Sequence, residues 1–380
     1  MRMPLFRGMK RPAQMASLVI LSSLLFAACG SPALLNPKGT VAHQESDLFW
    51  VMLVLATITF VAVEFWLIFA IVRYRARPNT PEPRQIHGNN TIEIMWTVAP
   101  AIILFILLGF TVKTMFALAQ PTTPTTIEVQ AIGHQWWWEF HYVKYNITTA
   151  DSLYVPPGTV VQVDLVSDNV IHSFWVPQLT GKTDVIPGHD NRQWFSADTP
   201  GIYRGVCAEY CGTQHAHMDF DVVVFNTGDQ FNTWVSGEQQ LATNPGGGSL
   251  AAQGQAIFKG AGGCTGCHGI VGVDIANWNS ATTTDGRKVT SLVGPNLTHF
   301  GSRHLIAGGI LATTNDGLGA NWSNDPACQI VNNKVADPTN CGLYQWLLDP
   351  QGVKPGNDMT IGQLTPDQIT QLIAYLQSLQ

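Results

Sequence analysis

The chain has 380 residues, enough for two or three domains, and its 46% hydrophobic and 12% charged content is unusual for a purely soluble protein. The net charge of −6 is unevenly spread, because residues 120–240 carry thirteen acids against four bases while residues 250–380 carry eight acids against six bases. The middle of the chain therefore offers an acidic surface suited to a basic partner, and we expect no nucleic-acid partner.

Residues 1–28 are typical of an export signal. A basic start precedes an apolar run, Leu18 to Ala28, that is too short to span a membrane comfortably. Phe26-Ala-Ala-Cys29 resembles a bacterial lipobox with Phe in place of the usual Leu, which predicts cleavage before Cys29 and lipid attachment to it. Cleavage without a lipid is the alternative, because membrane spans already anchor the chain. Residues 29–47 then form a short extracytoplasmic segment.

Residues 48–119 are predicted to form a hairpin of two membrane-spanning helices. Leu48 to Val72 is an apolar run of 25 residues, and Thr97 to Ala119 is a second. The short loop between them is rich in arginine, so the positive-inside rule places it in the cytoplasm and both flanks outside. Glu64 lies inside the first span, where a polar contact with a neighbouring subunit is the expected role. Glu93 precedes the second span, and a solvated interfacial carboxylate is its plainest interpretation.

Residues 120–225 alternate between apolar and polar positions, as Ile127–Ile132 and Phe220–Phe225 show. Short strands separated by proline and glycine indicate a sandwich or barrel. A cluster of three tryptophans, Trp136 to Trp138, follows the first of these strands. Packing in the core and at an interface is the simplest explanation for such a cluster.

The segment Cys207-Ala-Glu-Tyr-Cys-Gly-Thr-Gln-His-Ala-His-Met218 places two thiols, an imidazole and a thioether within twelve residues. Copper prefers this combination of soft sulfur ligands and borderline imidazole. Two thiolates four residues apart can bridge two copper ions, and His172 supplies a candidate second imidazole. A Cys207–Cys211 disulfide is the alternative, although it needs neither the histidines nor the methionine.

Residues 226–249 are polar and end in Asn-Pro-Gly-Gly-Gly-Ser, which predicts a flexible linker. Residues 250–380 then contain Cys264-Thr-Gly-Cys267-His268, the attachment motif of c-type haem. In this motif the two thiols reach the haem vinyl groups and the adjacent imidazole meets the iron. A zinc site is the alternative, but a second ligand pair does not accompany the motif.

The sixth haem ligand should be a methionine or a histidine. Met359 is the only methionine in residues 250–380, and His299 and His304 are its rivals. Cys328 and Cys341 lie in a polar insertion and are expected to form a disulfide in an oxidising compartment, with free thiols as the alternative.

The pattern of His172 followed by Cys207-x-Glu209-x-Cys211-x-x-x-His215-x-x-Met218 resembles the binuclear CuA centre of cytochrome c oxidase subunit II. The match extends through Val176-Pro177, Lys182–Gly188 and Pro200-Gly201. With the C-terminal haem motif, nearly the whole chain after the signal resembles subunit II of a cytochrome-c-fused, caa-type haem–copper oxidase. The resemblance implies a multidomain membrane protein with a two-helix transmembrane hairpin, an all-β cupredoxin Greek-key barrel and an all-α class I cytochrome c domain.

The resemblance also implies roles for single residues. Electrons would enter the copper centre through Trp136, and Glu93 would lie at the mouth of a proton-uptake path. The Glu209 carboxylate would bind Mg²⁺ at the boundary with the catalytic subunit, which would supply most of the other ligands. The loop Gly294–Gly301 resembles the family loop whose proline lies beside the axial histidine, which favours Met359 as sixth ligand. The implied copper ligands are His172, Cys207, Cys211, His215, Met218 and the backbone carbonyl of Glu209.

The implied function is an electron relay from haem c to binuclear copper and on to a haem of the catalytic subunit, where O₂ reduction is coupled to proton pumping. The expected partners are subunits I and III and an upstream donor, which is a bc-type complex, an equivalent complex or a soluble carrier. The expected location is the bacterial cell membrane, with the N-terminus and both C-terminal domains on the outer face. Two alternatives are a membrane-anchored carrier for another terminal reductase and a quinol-oxidase scaffold, which loss of the copper ligands would mark.

Overall fold

A computed structural model of the chain describes residues 35–75, 85, 87–121, 123–276, 278, 293–314 and 319–380. The predicted export signal and the lipidation site at Cys29 lie outside these residues. Within them, the chain forms a pair of long helices, a β-domain of two sheets and a helical C-terminal domain.

Two helices in the described residues, α1 (Thr40–Arg73) and α2 (Asn90–Leu118), are long and apolar enough to cross a membrane. Their predicted spanning segments expose large apolar side chains such as Phe60 and Phe105, as a lipid-facing surface requires. The side chain of Asn89 caps α2 by accepting hydrogen bonds from two backbone N–H groups of its first turn. Together the two helices form the hairpin that the apolar runs predict.

The two ends of this hairpin that lie away from its connecting loop, here called its outer ends, are attached to the β-domain. At the start of α1, the Thr40 hydroxyl lies 2.7 Å from the Ser196 hydroxyl. At the end of α2, the Trp194 indole donates a hydrogen bond of 2.9 Å to the Leu118 carbonyl. Both contacts lie at the end of the hairpin remote from its connecting loop, so the β-domain sits on the opposite side from that loop.

The β-domain has two five-stranded sheets, with strand orders β3-β2-β1-β5-β8 and β4-β10-β9-β6-β7. The β1–β5 and β4–β10 pairs are parallel and the other pairs are antiparallel. The strands are β1 (Ile127–His134), β2 (Trp137–Tyr142), β3 (Ile147–Ala150), β4 (Ser152–Val155), β5 (Val160–Ser167), β6 (His172–Trp175), β7 (Thr183–Val185), β8 (Asn191–Ser196), β9 (Gly201–Cys207) and β10 (Asp219–Val224).

Aromatic side chains fill the space between the two sheets. Trp138, Phe174 and Phe220 are fully buried, and the rings of Phe174 and Phe220 lie 4.7 Å apart. Alternating positions of the strands supply these side chains, which is why the period-two pattern in the sequence predicts a sandwich or barrel. The loop that joins β9 to β10 carries four of the six predicted copper ligands, so the expected position of that loop between two late strands is confirmed.

The segment predicted as a flexible linker contains a helix, α3 (Gly228–Glu238). Phe231, Trp234 and Val235 share one face of α3 and pack on the aromatic core of the β-domain. The prediction of an unstructured segment from residue 226 was therefore wrong, because three apolar residues at helical spacing outweigh the polar majority around them. An irregular stretch follows α3 and leads to the C-terminal domain.

The C-terminal domain is built on a close pair of helices, α4 (Leu250–Lys259) and α7 (Pro366–Ser378), joined across their contact by the rings of Phe258 and Tyr375. Thr365 and Gln368 form a capping box at the start of α7. The predicted disulfide between Cys328 and Cys341 is confirmed. The remaining elements are α5 (Gly342–Leu348), α6 (Pro350–Val353), β11 (Leu305–Ile306), β12 (Leu311–Ala312), β13 (Ile330–Val331) and β14 (Lys334–Val335).

Candidate functional site

The candidate copper site lies at one end of the β-domain, where β6 and β9 pair side by side. Phe174 pairs with Cys207 in this register, which places His172 at the start of β6 beside the thiol that ends β9. The loop after β9 then folds back as a short 3-10 turn and returns Met218 to the same place just before β10. The sheet register thus brings His172 to the Cys207–Met218 segment.

The two thiols are free and lie side by side. The Sγ atoms of Cys207 and Cys211 are 3.7 Å apart, which is too far for the disulfide that the sequence left open. Each thiol faces one imidazole, since His172 Nδ1 lies 3.9 Å from Cys207 Sγ and His215 Nδ1 lies 3.7 Å from Cys211 Sγ. The two sulfur atoms therefore lie between the two imidazole nitrogens.

The other predicted ligand atoms converge on the same thiols. Met218 Sδ lies 3.8 Å from Cys211 Sγ, and the Glu209 carbonyl oxygen lies 3.3 Å from Cys207 Sγ. The Glu209 residue is otherwise exposed. All six ligand residues that the resemblance implies are therefore gathered in one place, and the set of soft sulfur and imidazole donors fits copper.

Hydrogen bonding prepares the ligands for a metal. The hydrogen bond between the two thiols lowers the pKa of Cys207 and raises that of Cys211, so the pair titrates as a unit. The Nε2 atom of His172 lies 3.0 Å from the Asn169 side-chain oxygen and acts as donor there, which leaves Nδ1 free to bind metal beside Cys207. Asn169 was missed at the sequence level, because a lone asparagine in a turn carries no signal.

Trp136 lies in the turn between β1 and β2 and is half-buried. Its indole N–H donates a hydrogen bond of 3.0 Å to the carbonyl of Cys211, and Gln135 donates to the same oxygen at 2.8 Å. The copper loop passes close to the indole of Trp136 at Gly212, where an added Cβ atom would lie 2.9 Å from the ring. Trp136 is thus hydrogen-bonded to the backbone of a candidate copper ligand.

The candidate haem site is an apolar cavity in the C-terminal domain. Cys264, Cys267 and His268 lie on its wall, and the wall includes Trp136 of the β-domain. The remaining wall is mostly apolar, which fits a porphyrin, and its members include Leu297, Phe300, Leu343, Trp346, Leu372 and Leu376.

His268 is held in the orientation that a haem ligand needs. Its Nδ1 donates a hydrogen bond of 2.9 Å to the Pro295 carbonyl, which leaves Nε2 unprotonated for iron. Burial lowers the pKa of the imidazole and favours the neutral form. A Cβ atom at Gly294 would lie 2.5 Å from the ring, so the Gly294–Pro295 loop packs directly against the histidine.

Met359 lies on the cavity wall, whereas the two rival histidines are engaged elsewhere. His304 Nε2 lies 2.8 Å from Asp221 of the β-domain. His299 is buried, and burial lowers its pKa. Neither histidine lines the cavity in the described part of the chain. The structure therefore brings Met359 together with the attachment motif, and it leaves the rivals outside.

Comparison with known proteins gives the same domain order. Residues 37–113 and 147–225 match the transmembrane and periplasmic domains of the family described as cytochrome C oxidase subunit II, and residues 251–380 match cytochrome c. Cytochrome c oxidase subunit 2 of Alkalihalophilus pseudofirmus is 34% identical over 91% of this chain and 90% of that protein. The chain belongs to the cytochrome c oxidase subunit II family.

Other subunit II relatives divide into two groups. Cytochrome c oxidase subunit 2 of Bacillus sp. strain PS3 is 33% identical and covers 96% of each chain. Quinol oxidase subunit 2 of Bacillus anthracis is 35% identical but covers only 60% of this chain and 81% of that protein. This chain has the longer arrangement of the family, in which a C-terminal cytochrome c domain follows the subunit II domains.

Glu93, in contrast to the other predicted site residues, serves its own helix. Its carboxylate accepts a hydrogen bond of 3.1 Å from the backbone N–H of Asn89, so that the two residues cap the start of α2 reciprocally. This contact accounts for an acidic residue at this place without any further role. The structure of the chain on its own leaves the proton-path assignment a hypothesis.

The subunit II and cytochrome domains meet in a polar contact that sequence analysis missed. Lys354 of the C-terminal domain donates to the Trp136 carbonyl at 2.6 Å and to the His217 carbonyl at 2.9 Å. The Asp219 backbone N–H donates to the Gly308 carbonyl at 2.8 Å. One sequence feature could have pointed to this contact: the excess of acids in residues 120–240, which predicts a basic partner. Lys354 of the C-terminal domain is one such base.

Proposed function

We propose that this chain is the electron-relay subunit of a cytochrome c oxidase, taking electrons at its C-terminal domain and passing them through its β-domain to a catalytic subunit. The observation that carries the proposal is the position of Trp136. This one side chain lines the haem cavity and is hydrogen-bonded to the loop of the two thiols.

The copper ligands are assigned to His172, Cys207, Cys211, His215, Met218 and the carbonyl of Glu209. The haem ligands are assigned to His268 and Met359, with covalent attachment through Cys264 and Cys267. Haem c and binuclear copper held by these residues would supply two one-electron centres. Hydrogen bonds to the Asn169 side-chain oxygen and the Pro295 carbonyl orient His172 and His268 for these centres.

Trp136 is assigned as the residue through which electrons enter the copper centre. Its ring spans the gap between the haem cavity and the Cys211 carbonyl, and an aromatic ring lowers the barrier to tunnelling compared with an open gap.

The exposed carboxylate of Glu209 is assigned to a Mg²⁺ ion at the boundary with catalytic subunit I. A single carboxylate suffices on this side, since Mg²⁺ keeps waters and takes its other oxygen ligands from the partner. Glu93 is assigned to the mouth of a proton-uptake path of that subunit, where its cap would be exchanged for contacts in the complex. The oxygen-reducing site itself belongs to subunit I, with subunit III as a further partner.

The chain is assigned to a bacterial cell membrane, with the β-domain and the cytochrome domain on the outer face. The attachment of the β-domain to the outer ends of α1 and α2 supports this orientation together with the arginine-rich loop at the other end. Electrons would then arrive from a bc-type complex, an equivalent complex or a soluble carrier in the outer compartment. A lipid on Cys29 would add a second anchor.

A quinol-oxidase scaffold is the second candidate, because quinol oxidase relatives match 60% of this chain. The converging thiols and imidazoles favour the copper-containing subunit instead. The test is metal and haem analysis of the full chain purified from membranes. We expect two coppers and one covalent haem in this chain, and Cys211→Ser should lose the paired-copper optical bands while it keeps the haem spectrum. A folded, haem-loaded chain with one copper or none would contradict the proposal.

A further inference from the structure

The contact between the two external domains is complementary in charge. The C-terminal domain contributes Lys354 and His304, while the β-domain contributes Asp151, Asp219 and Asp221. His304 Nε2 donates a hydrogen bond of 2.8 Å to the Asp221 carboxylate, with the two side chains 10% and 15% exposed. Charges buried at a contact need partners, and each domain supplies partners to the other here.

Lys354 is the most deeply buried of these groups. It is 3% exposed, and its ammonium donates to the carbonyls of Trp136 at 2.6 Å, Ala307 at 2.8 Å and His217 at 2.9 Å. An ammonium has three N–H donors, so all three are satisfied. Two of the acceptors belong to the β-domain and one to the C-terminal domain, which makes Lys354 a bridge between them.

The turn between β11 and β12 completes this bridge. Gly308 donates to the Asp151 carboxylate at 3.0 Å and accepts from the Asp219 N–H at 2.8 Å. Gly308 has φ +68°, and a Cβ atom there would collide with the Trp136 carbonyl and the Lys354 ammonium. A Cβ atom at Gly309 would lie 2.7 Å from the Asp219 Cβ. Two successive glycines thus permit a backbone approach that no other residue would allow.

We propose that Lys354 is a positioning residue that, with the Gly308–Gly309 turn, keeps the cytochrome domain docked on Trp136 and the copper loop. This inference rests on the proposed function for its role in electron transfer, but not for the contact itself. In the docked arrangement the Lys354 ammonium and the Gly308 N–H all find acceptors, so the buried contact leaves none of these donors unpaired and favours the docked state as the resting state. Soluble carriers would then have to deliver electrons to the C-terminal domain, because Trp136 is covered.

The test is amide hydrogen exchange of Lys354→Met in the full chain within the assembled oxidase. Methionine keeps much of the apolar stem and removes the ammonium. We expect the amides of Gly308 and Asp219, which are bonded across the contact, to exchange roughly tenfold faster or more than in the wild type, while amides of α7 are unchanged. Lys334→Met is the matched control, because Lys334 is an exposed lysine of the same domain. Internal electron transfer should also slow and become sensitive to ionic strength only in Lys354→Met.

Equal exchange of those two amides in the Lys354→Met and Lys334→Met chains would overturn the proposal. If the Lys354→Met chain loses its haem band, hydrogen exchange of the Asp219 amide is measured in Gly308→Ala instead, and faster exchange is expected there as well. Its control is Gly158→Ala, since Gly158 has a similar φ of +65° with nothing within 4 Å of an added Cβ. Hydrogen exchange does not depend on electron transfer. A chain without paired copper would therefore contradict the proposed function, but it would not change the conclusion about the contact.

Discussion

His172 is oriented toward the thiols by one neighbour. The Asn169 side-chain oxygen accepts a hydrogen bond of 3.0 Å from the His172 Nε2–H, and the same oxygen accepts from the Val170 N–H at 2.8 Å, which fixes the amide itself. A ligand held in one tautomer and one orientation loses little entropy when it binds metal. The sequence motif names the ligand, and the neighbouring turn determines which nitrogen it presents.

Removing this neighbour should weaken the copper site without unfolding the β-domain. For Asn169→Ala we expect copper affinity to fall by about 10–100-fold, the usual effect of losing a residue that orients a ligand. The measurement is the copper retained by the purified chain against a competing chelator. Asn232→Ala, on the exposed face of α3, is the control and should retain copper like the wild type. Equal retention in both variants would show that Asn169 does not orient the ligand.

Glu139 gives the β-domain a pH-dependent stability. It is 2% exposed in β2, and burial raises its pKa to about 7, although attraction to His134 opposes this shift. Its usual value is 4.5, so the folded state binds more protons than the unfolded state between pH 4.5 and 7. Stability from this group is therefore present below pH 4.5 and falls as pH rises to 7, by about 3 kcal/mol.

Glu139→Gln should flatten this dependence, because the amide does not titrate. Thermal unfolding of the detergent-solubilised chain between pH 4.5 and 7.5 measures it, with the copper absorption as the signal of the β-domain. Glu128→Gln, an exposed substitution on β1, should keep the slope of the wild type. If the unfolding temperature of Glu139→Gln changes with pH as steeply as that of the wild type, other groups cause the pH dependence.

At the scale of secondary structure, α3 extends the core of the β-domain beyond the last strand. The ring of Phe231 lies 5.5 Å from that of Trp234 and 5.9 Å from that of Tyr145. Helices this short are marginal alone, so packing of this apolar face is what holds α3. The segment after the copper loop therefore belongs to the β-domain, and the flexible part of the connection is shorter than its composition indicates.

Phe231→Ala should destabilise the β-domain by about 3–5 kcal/mol, since it removes a buried aromatic ring and leaves a cavity. Chemical denaturation followed through the copper absorption gives the change in unfolding free energy. Thr233→Ala lies on the exposed face of the same helix and should change it by roughly 0.5 kcal/mol or less. If both variants unfold alike, α3 does not contribute to the core.

The limits of prediction from sequence follow from distance along the chain. Cys207 to Met218 and Cys264 to His268 are predictable because their chemistry lies in a few consecutive residues. The contact of Lys354 with the Trp136 carbonyl joins positions 218 residues apart, and neither periodicity nor a motif marks it. Two individually common features, a lysine and a glycine pair, acquire meaning only when the fold brings them together.

For the molecule as a whole, the described parts are connected in a line from membrane to haem domain. Contacts at Thr40 and Leu118 fix the β-domain to the outer ends of the hairpin, and Lys354 fixes the cytochrome domain to the β-domain. One orientation of the hairpin therefore determines the side of both external domains. The positive-inside rule, applied to the arginine-rich loop at the opposite end, predicts that this side is the outer face.

Cysteine labelling in intact cells tests this orientation. Gly362→Cys places a thiol at an exposed site of the cytochrome domain, and a membrane-impermeant reagent should label it from outside. His87→Cys places one at an exposed site just before α2, on the loop side, and it should be labelled only after the membrane is permeabilised. Because the chain has cysteines of its own, the labelling of each variant is compared with the labelling of the unsubstituted chain. The reverse pattern would place both electron-transfer domains in the cytoplasm, where an outer-face donor could not reach them.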